Sequence, residues 1–386
     1  MGWIGVCAVV MGLAPMAQAS PQFARQTGVA CFACHEVPPK LNTHGLAFQA
    51  SGYRFERPSD PDAGGSPAGN SGTAPLAVWL TSRYEDKGGG GASDLFLPKV
   101  ELITGGRLGD QWSYFVEWRI VSLSLNGDGT LRDRGGRFED LFAQWEFADG
   151  HALKLGQYRL LGQVDVSLRL SPSDPLLFKN GLRVSRDSDP RVDSLSTFSP
   201  SSRSPSIGYT YQSKRGAQPG DGLFHTVTVP FTGEFSIPLS QEASETASFE
   251  LDDPKGVFLE TFYRKGHRSI GAHAFVEDDT WLLTALGTYE RNGLFLTAGL
   301  GLDDPGAAGT RARSSLEAEY IFGRRGGMRS AAGVRIENVS EDGKRTAYVP
   351  YFAAAAPNTK YTYLLQLQYV NRDGADTFVA DLSLVF

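Results

Sequence analysis

From Leu76 to Phe386 the chain breaks into segments in which apolar and polar side chains alternate. A period of two puts every second side chain on the same face of a strand. Segments of about ten such residues, separated by turn-forming stretches, are the signature of a transmembrane β-barrel. Two segments show it most plainly. Across 361–369, Tyr361, Tyr363, Leu365, Leu367 and Tyr369 share one face, while Thr362, Leu364, Gln366 and Gln368 share the other. Across 281–289, Trp281, Leu283, Ala285, Gly287 and Tyr289 share a face with aromatics at both ends. Aromatic ends around an aliphatic middle match two interfacial girdles flanking a lipid band. A soluble sandwich also alternates, but it has no reason to place aromatics at both ends.

The expected architecture is therefore all-β, a transmembrane antiparallel β-barrel with a small helical segment before it. Strands are expected to begin near 76, 95, 112, 138, 151, 206, 222, 256, 267, 280, 293, 314, 328, 346, 360 and 376, which makes sixteen. An even number returns both termini to one side, as single-chain bacterial barrels require. The segments near 206 and 346 are the least regular, the latter holding Pro350, and without them the count is fourteen. Connections at Asp149-Gly150, Lys265-Gly266, Arg291-Asn292 and Pro357-Asn358 are tight, whereas those at 126–137, 160–205, 233–255 and 303–312 are long. The long loops carry acids such as Glu242, Asp253, Glu277 and Asp303, read as a solvated rim, and turns on the other side carry bases such as Lys214 and Arg324. A mean hydropathy of -0.23 argues against helical spans but not against strands that give lipid only every second residue. Glu117, Arg119, Asp140, Glu146, Glu260, Arg264, Glu317, Glu319, Arg335, Glu337 and Asp381 are assigned to the lumen, because charge facing lipid is costly. Their expected role is a structural ion-pair network. Phe378, Ala380, Leu382, Leu384 and the terminal Phe386 form one face of a closing strand.

The first 75 residues follow a different logic. An apolar run from Trp3 to Ala14, then Ala17-Gln18-Ala19, reads as an export signal over 1–19 cleaved after Ala19. Residues 20–57 hold Cys31-Phe32-Ala33-Cys34-His35. Two thiols three residues apart lie on one side of a helical turn, where both can add to the vinyl groups of one haem, and the adjacent imidazole becomes an axial ligand. CxxCH is thus a c-type haem attachment signature. A zinc site needs two further ligands at metal spacing, and no second cysteine pair exists. A thioredoxin-type CxxC needs a βαβ setting, which is absent. His44 is the other local nitrogen donor and a candidate sixth ligand; the alternative is a surface histidine with the iron five-coordinate, water-bound or ligated from elsewhere. Met328, the only methionine beyond the signal, is far along the chain. Leu41, Leu46, Phe48, Tyr53 and Phe55 are the apolar candidates for packing on the porphyrin. Residues 58–75, rich in Pro, Gly, Ser and Asp, read as a flexible linker to a barrel over 76–386.

The stretch Cys31–Tyr53, with CxxCH, then Leu41-Asn42, Gly45, Phe48 and Gly52-Tyr53, resembles the fused outer-membrane monohaem cytochrome–porins of iron-oxidising and related bacteria. The resemblance implies one covalent haem c in or at the barrel. It also implies transfer of electrons from an extracellular donor, such as Fe(II), to a periplasmic carrier (a cytochrome or cupredoxin). An activity of that kind is an iron:cytochrome c type oxidoreductase. Two other readings stand beside it: a passive solute porin whose haem segment is a gate or plug, and a peripheral periplasmic cytochrome with a soluble β domain. The sequence has no phosphate loop, catalytic triad or nucleic-acid-binding stripe.

Overall fold

Alternation this regular leaves the backbone one low-energy solution in lipid, a sheet closed on itself with every N–H and C=O paired between strands. The computed structural model describes residues 21–27, 31–53, 76–126, 128–133, 135–161, 170–172, 203–213, 220–233, 235–236, 248–249, 253–277, 280–304, 310–323, 328–341, 343–357, 362–372 and 375–386. Among them sixteen long strands close an antiparallel barrel. These are β1 (Leu76–Asp86), β2 (Ser93–Leu108), β3 (Trp112–Leu125), β4 (Arg137–Ala148), β5 (His151–Arg159), β6 (Arg203–Gln212), β7 (Gly222–Pro230) and β8 (Val257–Lys265). The second half comprises β9 (Arg268–Glu277), β10 (Thr280–Arg291), β11 (Leu294–Asp304), β12 (Arg311–Phe322), β13 (Arg329–Glu341), β14 (Gly343–Pro357), β15 (Thr362–Arg372) and β16 (Ala375–Val385). Closure is made by β16 on β1, in a register running from Phe378 opposite Asp86 to Val385 opposite Trp79. The signal, the linker, Phe55, Glu242, Lys214 and Arg324 lie outside the described residues.

Both irregular segments form strands. Pro350 lies opposite Val334 of β13, and the ladder from β14 to β15 passes from Tyr348–Asn371 to Tyr351–Gln368, so the missing N–H falls where no pair is made. Pro98 of β2 sits at a register shift between Thr81 and Arg83 of β1, a bulge that accommodates the ring in the same way. The tight turn at Asn292-Gly293 has both residues at positive φ, the geometry a two-residue hairpin needs.

Faces follow the alternation. Leu283, Leu300, Leu316, Ile270, Tyr369 and Leu382 are exposed on the outside, and Thr362, Leu364, Gln366 and Gln368 are buried inside. Trp112, Trp145, Phe147 and His151 lie side by side on the outer surface of β3–β5 near the end that holds both termini, with Trp112 and Trp145 stacked at 5.8 Å. That is an interfacial aromatic girdle around a lipid-facing band.

The inner face carries the expected ion pairs. Arg83 holds Asp381 at 2.7 Å, and Glu101 accepts from Lys99 at 2.8 Å and Arg119 at 2.6 Å. Arg119 continues to Glu139 at 3.1 Å, and Arg203 joins Glu139, Glu117 and Asp140. Asp303 departs from its sequence reading. It is a fully buried residue of β11 clasped by Arg311 and Arg313, because β11 extends through position 304 and turns it inward.

The lumen is also less aqueous than an open sixteen-stranded barrel suggests. Phe258, Phe262, Phe275, Leu282 and Leu286 of β8–β10 point inward and are buried in one apolar cluster with Phe115, Phe142, Tyr158, Leu160 and Leu161. The β5–β6 connection contributes to this filling. Leu160, Leu161 and Leu170 are buried, and Gln366 of β15 donates to the Leu170 carbonyl at 2.6 Å.

Candidate functional site

The CxxCH motif lies inside the barrel at the end that holds both barrel termini. Helices α1 (Pro21–Thr27) and α2 (Cys31–Cys34), a small hairpin of His35–Val37 with Lys40–Leu41, and α3 (Thr43–Ala50) form the segment. Cys31 and Cys34 are the first and last residues of α2, one turn apart, and His35 follows directly.

Asn42 holds this turn together. Its backbone N–H donates to the Cys34 carbonyl at 2.9 Å and its Nδ2 to the Ala33 carbonyl at 2.9 Å. Its Oδ1 meanwhile accepts from the Gly45 N–H at 3.0 Å, capping α3. One side chain thus satisfies the carbonyl end of α2 and the amide end of α3. Gly45 lets them approach, since a Cβ there would stand 2.2 Å from the Cys34 oxygen.

His35 Nδ1 lies 3.1 Å from the Pro39 carbonyl. An imidazole that donates from Nδ1 presents its Nε2 lone pair, the form a metal ligand takes. Burial lowers the His35 pKa to about 4, so the ring is neutral near pH 7. Burial pushes the Cys34 thiol pKa up, the opposite of the thiolate a redox-active CxxC exploits. Two thiols one turn apart beside a neutral, oriented imidazole fit a covalently held haem.

The wall grips the segment on two sides. From β13, Arg329 Nη1 donates to the carbonyls of His35 and Glu36, both at 3.0 Å, and the guanidinium stacks on Phe32 at 3.9 Å. From β12, Glu319 takes Lys40 at 2.6 Å in a buried ion pair, and Tyr351 of β14 donates to Glu319 at 2.9 Å. Thr362 of β15 stands 3.9 Å from Cys31 Sγ, and Val37 is fully buried among Ile321, Ala331, Ala353 and Leu364. Across the lumen the contacts are aromatic. Tyr53 stacks on Phe115 at 4.5 Å and on Phe23 at 5.2 Å, and Phe48 meets Phe23 edge-on at 5.0 Å. Gly52, at φ +72°, lets the chain lie against Ser113 and Gln144, and Gln144 donates to the Ala50 carbonyl at 3.4 Å.

Phe48 and Tyr53, expected to pack on porphyrin, thus pack on the wall and α1, and Leu46 is buried at a seam with Phe224, Phe262 and Arg264. His44 is exposed in the first turn of α3, next to Gly45. Met328, remote in sequence, immediately precedes Arg329 and is exposed at the same mouth. Arg329, Lys40 and Thr362 carried no signal in the sequence, because each contact spans a separation of 279 to 331 residues.

No family model matches the chain and no curated protein matches it. Among solved structures, OprB of Pseudomonas putida is similar at 13% identity and a TM-score of 0.48, over 81% of this chain and 93% of that one. An anion-selective porin from Comamonas acidovorans is similar at 12% identity and 0.48, over 80% and 98% of the two chains. The OmpT outer-membrane protein of Vibrio cholerae is similar at 9% and 0.45, over 81% and 98%.

Proposed function

We propose that this chain is an outer-membrane electron conduit, a porin-like barrel whose periplasmic mouth is filled by a segment bearing one covalent haem c on Cys31 and Cys34. His35 would ligate the iron, and His44, exposed in the first turn of α3, is the second imidazole of the segment that would be available to it. A haem there supplies one-electron redox chemistry. The barrel carries it within the membrane so that an extracellular donor such as Fe(II) and a periplasmic cytochrome or cupredoxin need not meet. The observation that carries the reading is the CxxCH turn itself, held at its carbonyl end by Asn42, with His35 oriented by Pro39 and gripped by Arg329 from the wall. The apolar filling of the lumen supports it further, since it opposes free passage of water and solute.

The test is spectroscopic. Purified outer membranes reduced with dithionite are expected to show c-type bands, and Fe(II) added outside intact cells is expected to produce the same bands. His44→Ala is expected to change the low-spin spectrum while leaving the haem covalently bound. A colourless purified chain, or a haem that no external donor reduces, sinks the proposal.

The second reading is a solute porin in which the same segment is a plug, and the barrel architecture favours it. It requires ion conductance in planar bilayers and growth defects tied to a solute instead of an electron donor.

A further inference from the structure

The wall contact made by Arg329 is more than a tether. Its Nη1 donates to two successive carbonyls, those of His35 and Glu36, its Cζ sits 3.9 Å over the Phe32 ring inside the CxxCH motif, and Nη1 has the Glu36 carboxylate at 3.8 Å. Three residues of one short turn are therefore fixed by one side chain that belongs to the barrel. A guanidinium can set its centre over a ring while one of its nitrogens reaches both carbonyls, because its charge and donors are spread over a plane.

We infer that Arg329 is a positioning residue for the haem turn, which fixes the peptide following the axial histidine and sets the iron's reduction potential through its charge. The inference rests on the haem reading above. Its physical basis is Coulombic. The ferric state carries one more positive charge than the ferrous state, so a fixed cation beside the ligand favours the ferrous state, and the low-dielectric surroundings strengthen the effect. The two functions come apart chemically. Lysine keeps the charge but concentrates it on one nitrogen, which cannot both sit over the Phe32 ring and reach the two carbonyls, whereas glutamine keeps an amide donor and loses the charge.

The experiment compares Arg329→Lys and Arg329→Gln in detergent-purified full-length protein. Two readouts are taken, the midpoint potential by spectroelectrochemistry and the protection of residues 21–53 from added protease. Arg329→Gln is expected to lower the ferrous-to-ferric ratio at fixed electrode potential about tenfold, a shift of about 59 mV for a one-electron couple. Arg329→Lys is expected to keep the potential near wild type while the segment becomes protease-sensitive. If Arg329→Gln fails to assemble, Glu36→Gln serves, and it is expected to shift the potential upward because it removes the opposing charge. Wild-type protein without covalent haem overturns the functional reading itself. Haem-bearing protein in which Arg329→Gln keeps both potential and protection, or in which Glu36→Gln leaves the potential unmoved, overturns this inference alone. Equal loss of potential in the lysine and glutamine variants also overturns it, by reducing Arg329 to a structural contact.

Discussion

The segment within the barrel mouth is held on one side by charge and on the other by rings. Toward β12–β15 the contacts are Lys40 with Glu319, Arg329 with the His35 and Glu36 carbonyls, and Thr362 beside Cys31. Toward β2–β4 they are the stack of Phe23, Tyr53, Phe115 and Phe142, with Gln26 donating to the Gly105 carbonyl at 3.1 Å. The charged side touches the CxxCH turn and the aromatic side touches the residues that flank it. Aromatic stacking contributes burial and tolerates small rotations. Paired charges and charge-assisted hydrogen bonds fix a geometry, at a cost if one partner is lost. The site chemistry is thus built on the side that specifies position, and the side that supplies adhesion is kept away from it.

The largest expected effect strands a charge. Lys40→Ala leaves Glu319 buried without its cation, which costs about 3–5 kcal/mol. It is expected to abolish protease protection of residues 21–53 while the barrel keeps its heat-modifiable migration on gels. The pair Lys40→Met with Glu319→Gln removes both charges and is expected to recover most of the protection. A double variant as sensitive as Lys40→Ala argues that the charged side specifies nothing.

Next comes the aromatic side. Phe115→Ala empties the space between Tyr53 and Phe142 and costs about 3 kcal/mol, the lower end for a buried aromatic, because neighbouring rings can close in. Protection is expected to fall with the midpoint potential unchanged, since the Phe115 ring packs on Phe23, Tyr53 and Phe142, which lie outside the CxxCH turn. A potential that moves as far as in Arg329→Gln erases the distinction between the two sides.

The wall was legible in the sequence because a barrel strand needs only period two and an apolar exterior. Trp281 to Tyr289 and Thr362 to Tyr369 announce their faces residue by residue, and even the strands holding Pro98 and Pro350 adapt through bulge and gap. The inner filling was less legible. Leu282 and Leu286 read as part of a generally apolar strand, and nothing local distinguishes an inward leucine beneath a returning loop from one beside water. The CxxCH turn was legible as a turn, since the cysteine spacing is local and Cys31 and Cys34 begin and end α2. Its environment was legible only in part: Glu319 reads as a lumenal ion-pair residue, but its partner Lys40, and Arg329, are ordinary charges until closure of the barrel brings them together.

A smaller effect probes the joint between the helices. Gly45→Ala drives a methyl group into the Cys34 carbonyl, with Leu41 Cδ2 2.7 Å away on the other side. Overpacking of this kind costs about 1–3 kcal/mol. The strain falls on the turn itself, so a changed visible spectrum is expected with protease protection largely kept. An unchanged spectrum means that α3 can slide without disturbing the motif.

The smallest effect belongs to Asn42, and it is the most discriminating because the residue bonds in both directions. Asn42→Ala removes the cap on α3 and the donation from Nδ2 to the Ala33 carbonyl, leaving the backbone bond to Cys34. Loss of an N-cap costs about 1 kcal/mol. Asn42→Asp keeps the acceptor that caps α3 and loses only the donor to α2. If the segment is organised from the CxxCH turn outward, aspartate is expected to be nearly as damaging as alanine in thermal melts followed in the visible bands. If α3 is the organising element, aspartate is expected to melt like wild type. The first outcome fits a motif held from outside by donors, Arg329 from the wall and Asn42 from the segment, each aimed at a carbonyl of the same short turn.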